Sequence, residues 1–201
     1  RITLKKAIKP MTHVPAHLRG LLPIVAGGYI STWSIGFFFQ SLATPASVDY
    51  FAATDPLIPS LVLALAMAPS ALGGPLSARI GTRPSMIFGY SIMFCAAAAL
   101  EACMLLGVLV PYLLIEVVFA ITSGMILSSS LHMLISASTP QENASVVTLP
   151  NLSGYVGSTV VSTIQTALTA TFDLATVYAI IVLLAAISIV PGCVAMFEQR
   201  G

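Results

Sequence analysis

Charge is scarce in this sequence: its 201 residues hold eight Lys or Arg and seven Asp or Glu, while 57% are hydrophobic. A soluble domain ordinarily charges about a quarter of its residues, so the chain lacks the polar surface a globule in water needs. A formal net charge of only +1 offers no bulk attraction to nucleic acid or to an acidic partner, and nucleic acid is not an expected partner. Cysteine is scarce too. Cys95, Cys103 and Cys193 lie inside apolar runs, without the spacing of a disulfide framework or a metal site. They read as small hydrophobes in packed helices, and neither a metal nor a cofactor is expected. The apolar runs are continuous rather than alternating, which excludes a transmembrane β-barrel. The chain reads as a multi-pass integral membrane protein whose first partner is the lipid bilayer.

A membrane-crossing helix takes about 20 mainly apolar residues. Runs of that kind are expected at about 21–43, 57–78, 85–107, 111–136, 146–170 and 175–197. Arg1, Lys5, Lys6, Lys9 and Arg19 precede the first run, Arg79 and Arg83 lie between the second and third, and Arg200 follows the sixth. All the basic residues therefore fall on one side, whereas Asp49, Asp55 and Asp173 fall on the other. By the positive-inside rule both termini are expected in the cytoplasm. The expected fold is an all-α integral membrane bundle of six transmembrane helices over 21–201. Residues 1–20, with Pro10, Pro15, His13 and His17, read as a cytoplasmic linker or surface segment. No second soluble domain fits. A start at Arg1 rather than Met is expected of a fragment, a processed product or a trimmed piece.

"GPLSARIGTR", residues 74–83, places two arginines between two long apolar runs. A tight cytoplasmic turn accounts for them in part. Pro84 can open the third helix, and Arg79 and Arg83 can anchor the turn at an anionic leaflet and bond the carbonyls ending the second helix. The pattern goes further. It resembles the cytoplasmic signature of the major facilitator superfamily, G-x-L-a-D-R-x-G-R-R, with Gly74, Leu76, Ser77, Arg79, Gly81 and Arg83 in register. Ala78 stands where the acidic residue belongs and Thr82 where a basic one often does, so the acid that a charge relay would need is missing. A basic linker followed by six helices resembles the C-terminal half of such a transporter. "TPQENASVVTLPNLSGYVGSTVVSTI" and "GYISTWSIGFFFQ" resemble the drug:proton antiporter branch. The resemblance implies a 3+3 inverted repeat and a cytoplasmic gating motif at Gly74, Arg79, Gly81 and Arg83. It also implies an N-terminal six-helix half as partner, in the same or a separate chain, and a cavity lined by the first, second, fourth and fifth helices.

Polarity along the helices agrees with that lining, Glu101 apart. The sixth run is almost wholly apolar. The fifth carries Asn151, Tyr155, Ser158, Ser162, Gln165 and Thr169 at three- or four-residue steps, one polar face. Gly154, Ser158, Ser162 and Thr166 form a small-xxx-small ridge suited to close helix contact, so helix–helix adhesion is the plainer account of part of that face. The first helix carries Tyr29, Trp33 and Gln40, the fourth Ser123, and Pro59 and Pro69 interrupt the second. The expected cavity residues are therefore Tyr29, Trp33, Gln40, Ser123, Asn151, Tyr155, Ser158, Ser162 and Gln165.

Glu101 and Glu116 are the only acidic residues within the expected spans. Each lies about 10 Å below the outer surface at 1.5 Å per residue, on adjacent antiparallel helices. Intramembrane carboxyls that gain and lose a proton suit proton coupling, although snorkelling or a neutral hydrogen-bonded state would also account for them. His132 is a third candidate for coupling, with an interhelical hydrogen bond as its plainer role. No Lys or Arg lies within a span, which favours neutral, apolar or cationic small-molecule substrates. The expected function is a secondary active transporter with alternating access, proton-coupled and exporting a lipophilic or cationic compound. Two alternatives stand beside it: a transport-inactive scaffold or sensor, compatible with Ala78, and an intramembrane serine hydrolase. No Ser lies in a G-x-S-x-G setting, so no catalytic residue is expected and the chain does not read as an enzyme.

Overall fold

The computed structural model describes residues 16–139 and 142–198; Arg1, Lys5, Lys6, Lys9, His13 and Arg200, with most of the expected linker, lie outside them. After a short 3-10 turn, Ala16–Leu18, come six long helices and, among the described residues, no strand. They are α1 (Leu22–Phe51), α2 (Leu57–Ile80), α3 (Thr82–Leu106), α4 (Leu109–Ala137), α5 (Asn143–Leu168) and α6 (Leu174–Glu198). Five of them, all but α5, are long and apolar enough to cross a membrane. The bundle fits a multi-pass membrane protein. At 26 residues α5 is also of spanning length, but its Ser, Thr, Asn and Gln residues lower its hydropathy below that of its neighbours.

The helix ends depart from expectation where tertiary contacts override local signals. Helix α1 continues through Pro45 to Phe51 rather than stopping near residue 43. A proline inside a helix forfeits one backbone hydrogen bond, and here the extension is held from outside. The Tyr50 hydroxyl donates to Asp173 Oδ2 at 3.1 Å and accepts from the Ala175 N–H at 2.9 Å. The Phe51 ring meets Tyr112 at 4.8 Å between centroids. These contacts clamp the end of α1 to the start of α6 and to α4. The chain then turns at Ala52, the one described non-glycine residue with positive φ, at 48°.

Helix α2 consists of α-helical stretches Leu57–Met67 and Gly73–Ile80 joined by a 3-10 stretch, Ala68–Leu72. Pro69 sits in that joint, while Pro59 lies in the first turn, where its missing N–H breaks nothing. The joint presses against α4 backbone to backbone. A Cβ on Gly73 would lie 2.3 Å from the Gly124 carbonyl carbon, and one on Gly124 would lie 2.0 Å from the Ser70 carbonyl oxygen. Only glycine permits this approach, the membrane counterpart of a small-residue helix crossing.

Helices α2 and α3 meet at Gly81, whose φ of 95° and ψ of 154° suit glycine. Helix α3 starts at Thr82, ahead of Pro84, whose absent N–H falls in the unpaired first turn. Arg79 and Arg83 do not cap α2. Both are exposed, and neither has a hydrogen-bond or ion-pair partner among the described residues. Because α3 begins so early, the Ser85 hydroxyl points back and donates to the Ser77 carbonyl at 3.3 Å, which also accepts the Gly81 N–H at 2.9 Å.

The packing has two hubs. Helix α1 packs on α5 and α6, α4 packs on α2 and α3, and the hubs touch each other. These principal pairings are unchanged when α1 is exchanged for α4, α2 for α5 and α3 for α6. Between the hubs lies a core of Phe38, Phe39, Met93, Leu100, Phe119 and Tyr178, all fully buried. In a bilayer such a core holds by van der Waals fit rather than by exclusion of water. Helix α5 seats Gly154 against Trp33 and Gly157 against Ile30. Its ridge departs from the small-xxx-small reading: Gly154 and Ser158 are buried, Ser162 is half-buried and Thr166 is exposed, while the buried line runs on through Val161 and Gln165. A four-residue step overshoots a 3.6-residue turn by about 40°, so a strict i+4 ridge winds off the contact face.

Candidate functional site

Between α1, α2, α4 and α5 lies a cavity of about 330 Å³. Helix α1 contributes Thr32, Trp33, Gly36, Phe37 and Gln40; α2 contributes Met67 and, from its joint, Ser70. Phe119 and Ser123 enter from α4 and Tyr155 from α5. The aromatic wall is built in layers. Trp33 and Tyr155 meet edge to face at 4.6 Å and 81°, and Tyr29 backs Trp33 at 6.0 Å. Gly154 makes room for this, since a Cβ there would come within 3.1 Å of the Trp33 ring. The Ser123 hydroxyl, buried without a partner among the described residues, borders the cavity and leaves a donor for a guest. Among the described residues no charged side chain lines the space.

Of the cavity residues expected from sequence, Trp33, Gln40, Ser123 and Tyr155 are brought together here. Tyr29 stands one ring behind, 5% exposed. Asn151, Ser158, Ser162 and Gln165 do not line the space. The Asn151 side chain donates to the Val147 carbonyl at 2.9 Å, Ser158 to Tyr155 at 3.2 Å and Ser162 to Thr159 at 3.0 Å, all within their own helix. Gln165 is buried and crosses to α1, its Nε2 donating to the Ser41 hydroxyl at 2.9 Å. Phe37, Met67 and Phe119 have no counterpart in the sequence reading, because apolar residues in a membrane chain carry no mark of what they face. Ser70 had a usable signal in the neighbouring Pro69.

The two membrane carboxyls occupy unlike places. Glu116 is wholly buried, one turn from Phe119, and among the described residues neither carboxyl oxygen has a hydrogen-bond partner. Tyr112 and Tyr178, both buried, lie within its electrostatic reach, and the Tyr178 hydroxyl also has no partner among the described residues. Glu101 is partly exposed at the edge of the buried face of α3. Two carboxylates outside the spans are well served. The Thr176 hydroxyl, then its backbone N–H, holds Asp173 below the usual carboxylate range. The Thr139 N–H and hydroxyl do the same for Glu142, which also faces His17 at 3.7 Å.

At the α2–α3 turn, the expected gating residues bound two further cavities of about 300 and 200 Å³. Gly74 and Gly81 line the larger and Arg83 the smaller, while Arg79 lines neither. His132 reaches this turn from α4, with Nδ1 in hydrogen-bond contact with Thr82 Oγ1 at 3.1 Å. Among the described residues no group of three or more His, Cys, Asp or Glu could hold a metal ion.

These features are a helical bundle that fits a multi-pass membrane protein, with an aromatic-walled cavity among four of its helices. The chain matches no protein-family model, no curated protein and no solved structure.

Proposed function

We propose that this chain is a six-helix unit of a secondary active transporter, the C-terminal half of a carrier resembling the major facilitator superfamily, working by alternating access. The observation that carries the reading is the 330 Å³ cavity walled by α1, α2, α4 and α5, the four helices that resemblance puts inside. The exchange of pairings between the two hubs supports a 3+3 inverted repeat, an arrangement that places substrate sites at the repeat interface. The distribution of basic residues favours cytoplasmic termini. A transport cycle then needs an N-terminal six-helix half.

The cavity favours a lipophilic or cationic small molecule. Its walls are aromatic and uncharged, so they accept apolar surface and the face of a cation and offer an anion no counter-charge. Glu116 is the residue for proton coupling: an ionised carboxylate with no partner is costly inside the bundle, so its ionisation is tied to whatever opens the site. His132, engaged with Thr82, has a structural hydrogen bond instead, and no nucleophile–base–acid constellation favours a hydrolase. Ala78 in place of an acid is the one feature that favours a transport-inactive scaffold or sensor.

Efflux of a fluorescent lipophilic cation from vesicles carrying the native protein, driven by an imposed proton gradient, tests the reading. Gradient-dependent efflux that Glu116→Gln removes is expected. Wild-type vesicles that move none of a panel of apolar and cationic dyes would overturn transport in favour of the scaffold.

A further inference from the structure

The polar side chains on the wall of the 330 Å³ cavity are put to unlike uses. The Thr32 hydroxyl donates to the Gly28 carbonyl at 2.8 Å and the Ser70 hydroxyl to the Met67 carbonyl at 2.7 Å. Gln40 and Tyr155 are exposed, so water can serve them. Ser123 differs: it is 8% exposed, and its hydroxyl has no partner among the described residues. Small polar residues in a helix ordinarily bond back to a carbonyl one turn earlier. For Ser123 that acceptor is Phe119, and the Thr122 hydroxyl already donates to it at 2.9 Å. The orphan is therefore the Ser123 hydroxyl proton, and what the site lacks is an acceptor. The pairing of α1 with α4 sets the height of that proton. Gly28 faces Ser130 and Ile126, and the Phe39 ring meets Phe119 at 5.5 Å between centroids. Counting between these contacts at 1.5 Å per residue puts Ser123 level with Trp33 to within about 2 Å, the height of the Trp33–Tyr155 wall.

We infer that Ser123 is the specificity-determining contact of this cavity, and that its guests carry a neutral hydrogen-bond acceptor, such as a carbonyl oxygen, on a flat aromatic or apolar body. The inference rests on the substrate-cavity reading above and narrows it. A guest that fills the cavity takes water away from the Ser123 hydroxyl. Without an acceptor it leaves a buried donor unanswered and loses affinity; with one it recovers the bond. At Gln40 and Tyr155 the same acceptor only replaces water, so those groups discriminate little. No carboxylate among the described residues lines the space, so a lipophilic cation that lacks an acceptor atom is held by the rings alone.

Equilibrium dialysis tests this with vesicles carrying the native protein, empty vesicles as blank and no proton gradient. The probes are fluorenone and fluorene, tricycles of one shape in which a carbonyl replaces a methylene, and bound compound is counted by chromatography. Fluorenone should bind about ten-fold more tightly than fluorene, the scale of one neutral hydrogen bond. Ser123→Ala should bring fluorenone down to the level of fluorene and leave fluorene unchanged. Trp33→Ala should weaken both. Ser130→Ala removes another buried hydroxyl of α4 that has no partner among the described residues and lies outside the cavity; it should change neither. Should Ser123→Ala misfold, as judged by circular dichroism, Ser123→Cys reports on the same contact, its weaker donor giving a smaller preference. Equal binding of the two compounds by the wild type, binding of neither, or a Ser123→Ala loss common to both overturns the inference. The efflux test stands apart from these outcomes. A wild type that moves no dye yet prefers fluorenone through Ser123 would sink transport and keep the binding site.

Discussion

Glu101 and Glu116 flank the same short α3–α4 turn at similar depth, yet the bundle treats them differently. Glu116 is sealed among Tyr112, Tyr178 and the aromatic core, with neither oxygen partnered. Glu101 lies on the rim of the buried face of α3, partly exposed. Depth along a helix therefore does not set a carboxyl's surroundings; rotational phase does. One residue step turns a helix by about 100°, enough to take a side chain from a core lined by Ala97 and Leu100 to its edge. Matched depth made both acids candidates for proton coupling. Matched depth with unlike burial singles out Glu116 for the proposed coupling and leaves Glu101 at the margin.

The largest expected effect follows from this contrast. Glu116→Gln keeps the shape and removes the ionisable group, so gradient-driven efflux should fall about 10²-fold or more, with the fold intact by circular dichroism. Glu101→Gln should change efflux less than about two-fold, as surface substitutions outside a site do. Equal losses would give both acids a part in coupling and undo the contrast. Glu116→Leu sharpens the point through stability: replacing an unpartnered buried acid with a hydrocarbon should raise the melting temperature in detergent, whereas Glu101→Leu should not.

Helix α4 carries Glu116 and, two turns on, Gly124, which fixes how α4 sits on α2. A Cβ on Gly124 would meet the Ser70 carbonyl at 2.0 Å, whereas one on Gly36, in the cavity wall, would meet nothing within 4 Å. Gly124→Ala should therefore destabilise the bundle by about 1–3 kcal/mol and lower efflux with it, as the α4 register shifts around Glu116. Gly36→Ala should leave stability unchanged. Thermal melts of the two variants measure the difference directly, and a neutral Gly124→Ala would show that the crossing is looser than its geometry.

The cavity wall should respond in affinity rather than in coupling. Trp33→Ala removes the ring that Tyr155 and Tyr29 support and should weaken binding of an aromatic cation about ten-fold, roughly the scale of a desolvated ring contact. The pH dependence of efflux should keep its shape, because Glu116 is untouched. A moved pH profile would place Trp33 in the coupling path and blur the separation between acid and cavity.

The spans were legible in sequence because apolar length is a property of composition, and each expected run overlaps one helix. Features set by contacts between helices were not legible. Nothing local announces that α1 runs past Pro45, since Tyr50 earns that extension through Asp173 and Ala175 on a distant helix. Pro69 did mark the joint in α2. In the site, Trp33, Gln40, Ser123 and Tyr155 were legible as polar or aromatic residues in an apolar background. Asn151, Ser158 and Ser162 carried the same signal and spend it on their own backbone carbonyls. Small polar side chains in a helix have that option at every turn, and periodicity does not distinguish the two uses.

The smallest effect concerns the acids that are not buried, and it has the opposite character to Glu116. Asp173 accepts from the hydroxyl and N–H of Thr176 and from Tyr50, and these bonds favour its charged form. Its folded pKa lies below the unfolded one, so its contribution to stability is fully present above the unfolded value. That contribution is lost as pH falls through the folded value. Melting temperature should therefore decline slightly on acidification below the ordinary carboxylate range, and Asp173→Asn should flatten the part of the decline due to this site. Glu142→Gln should do the same at the head of α5, where Thr139 holds the carboxylate. Both groups are solvated, so either change should be small beside that of Gly124→Ala. An acid-range decline that neither variant touches would sink this account of its origin.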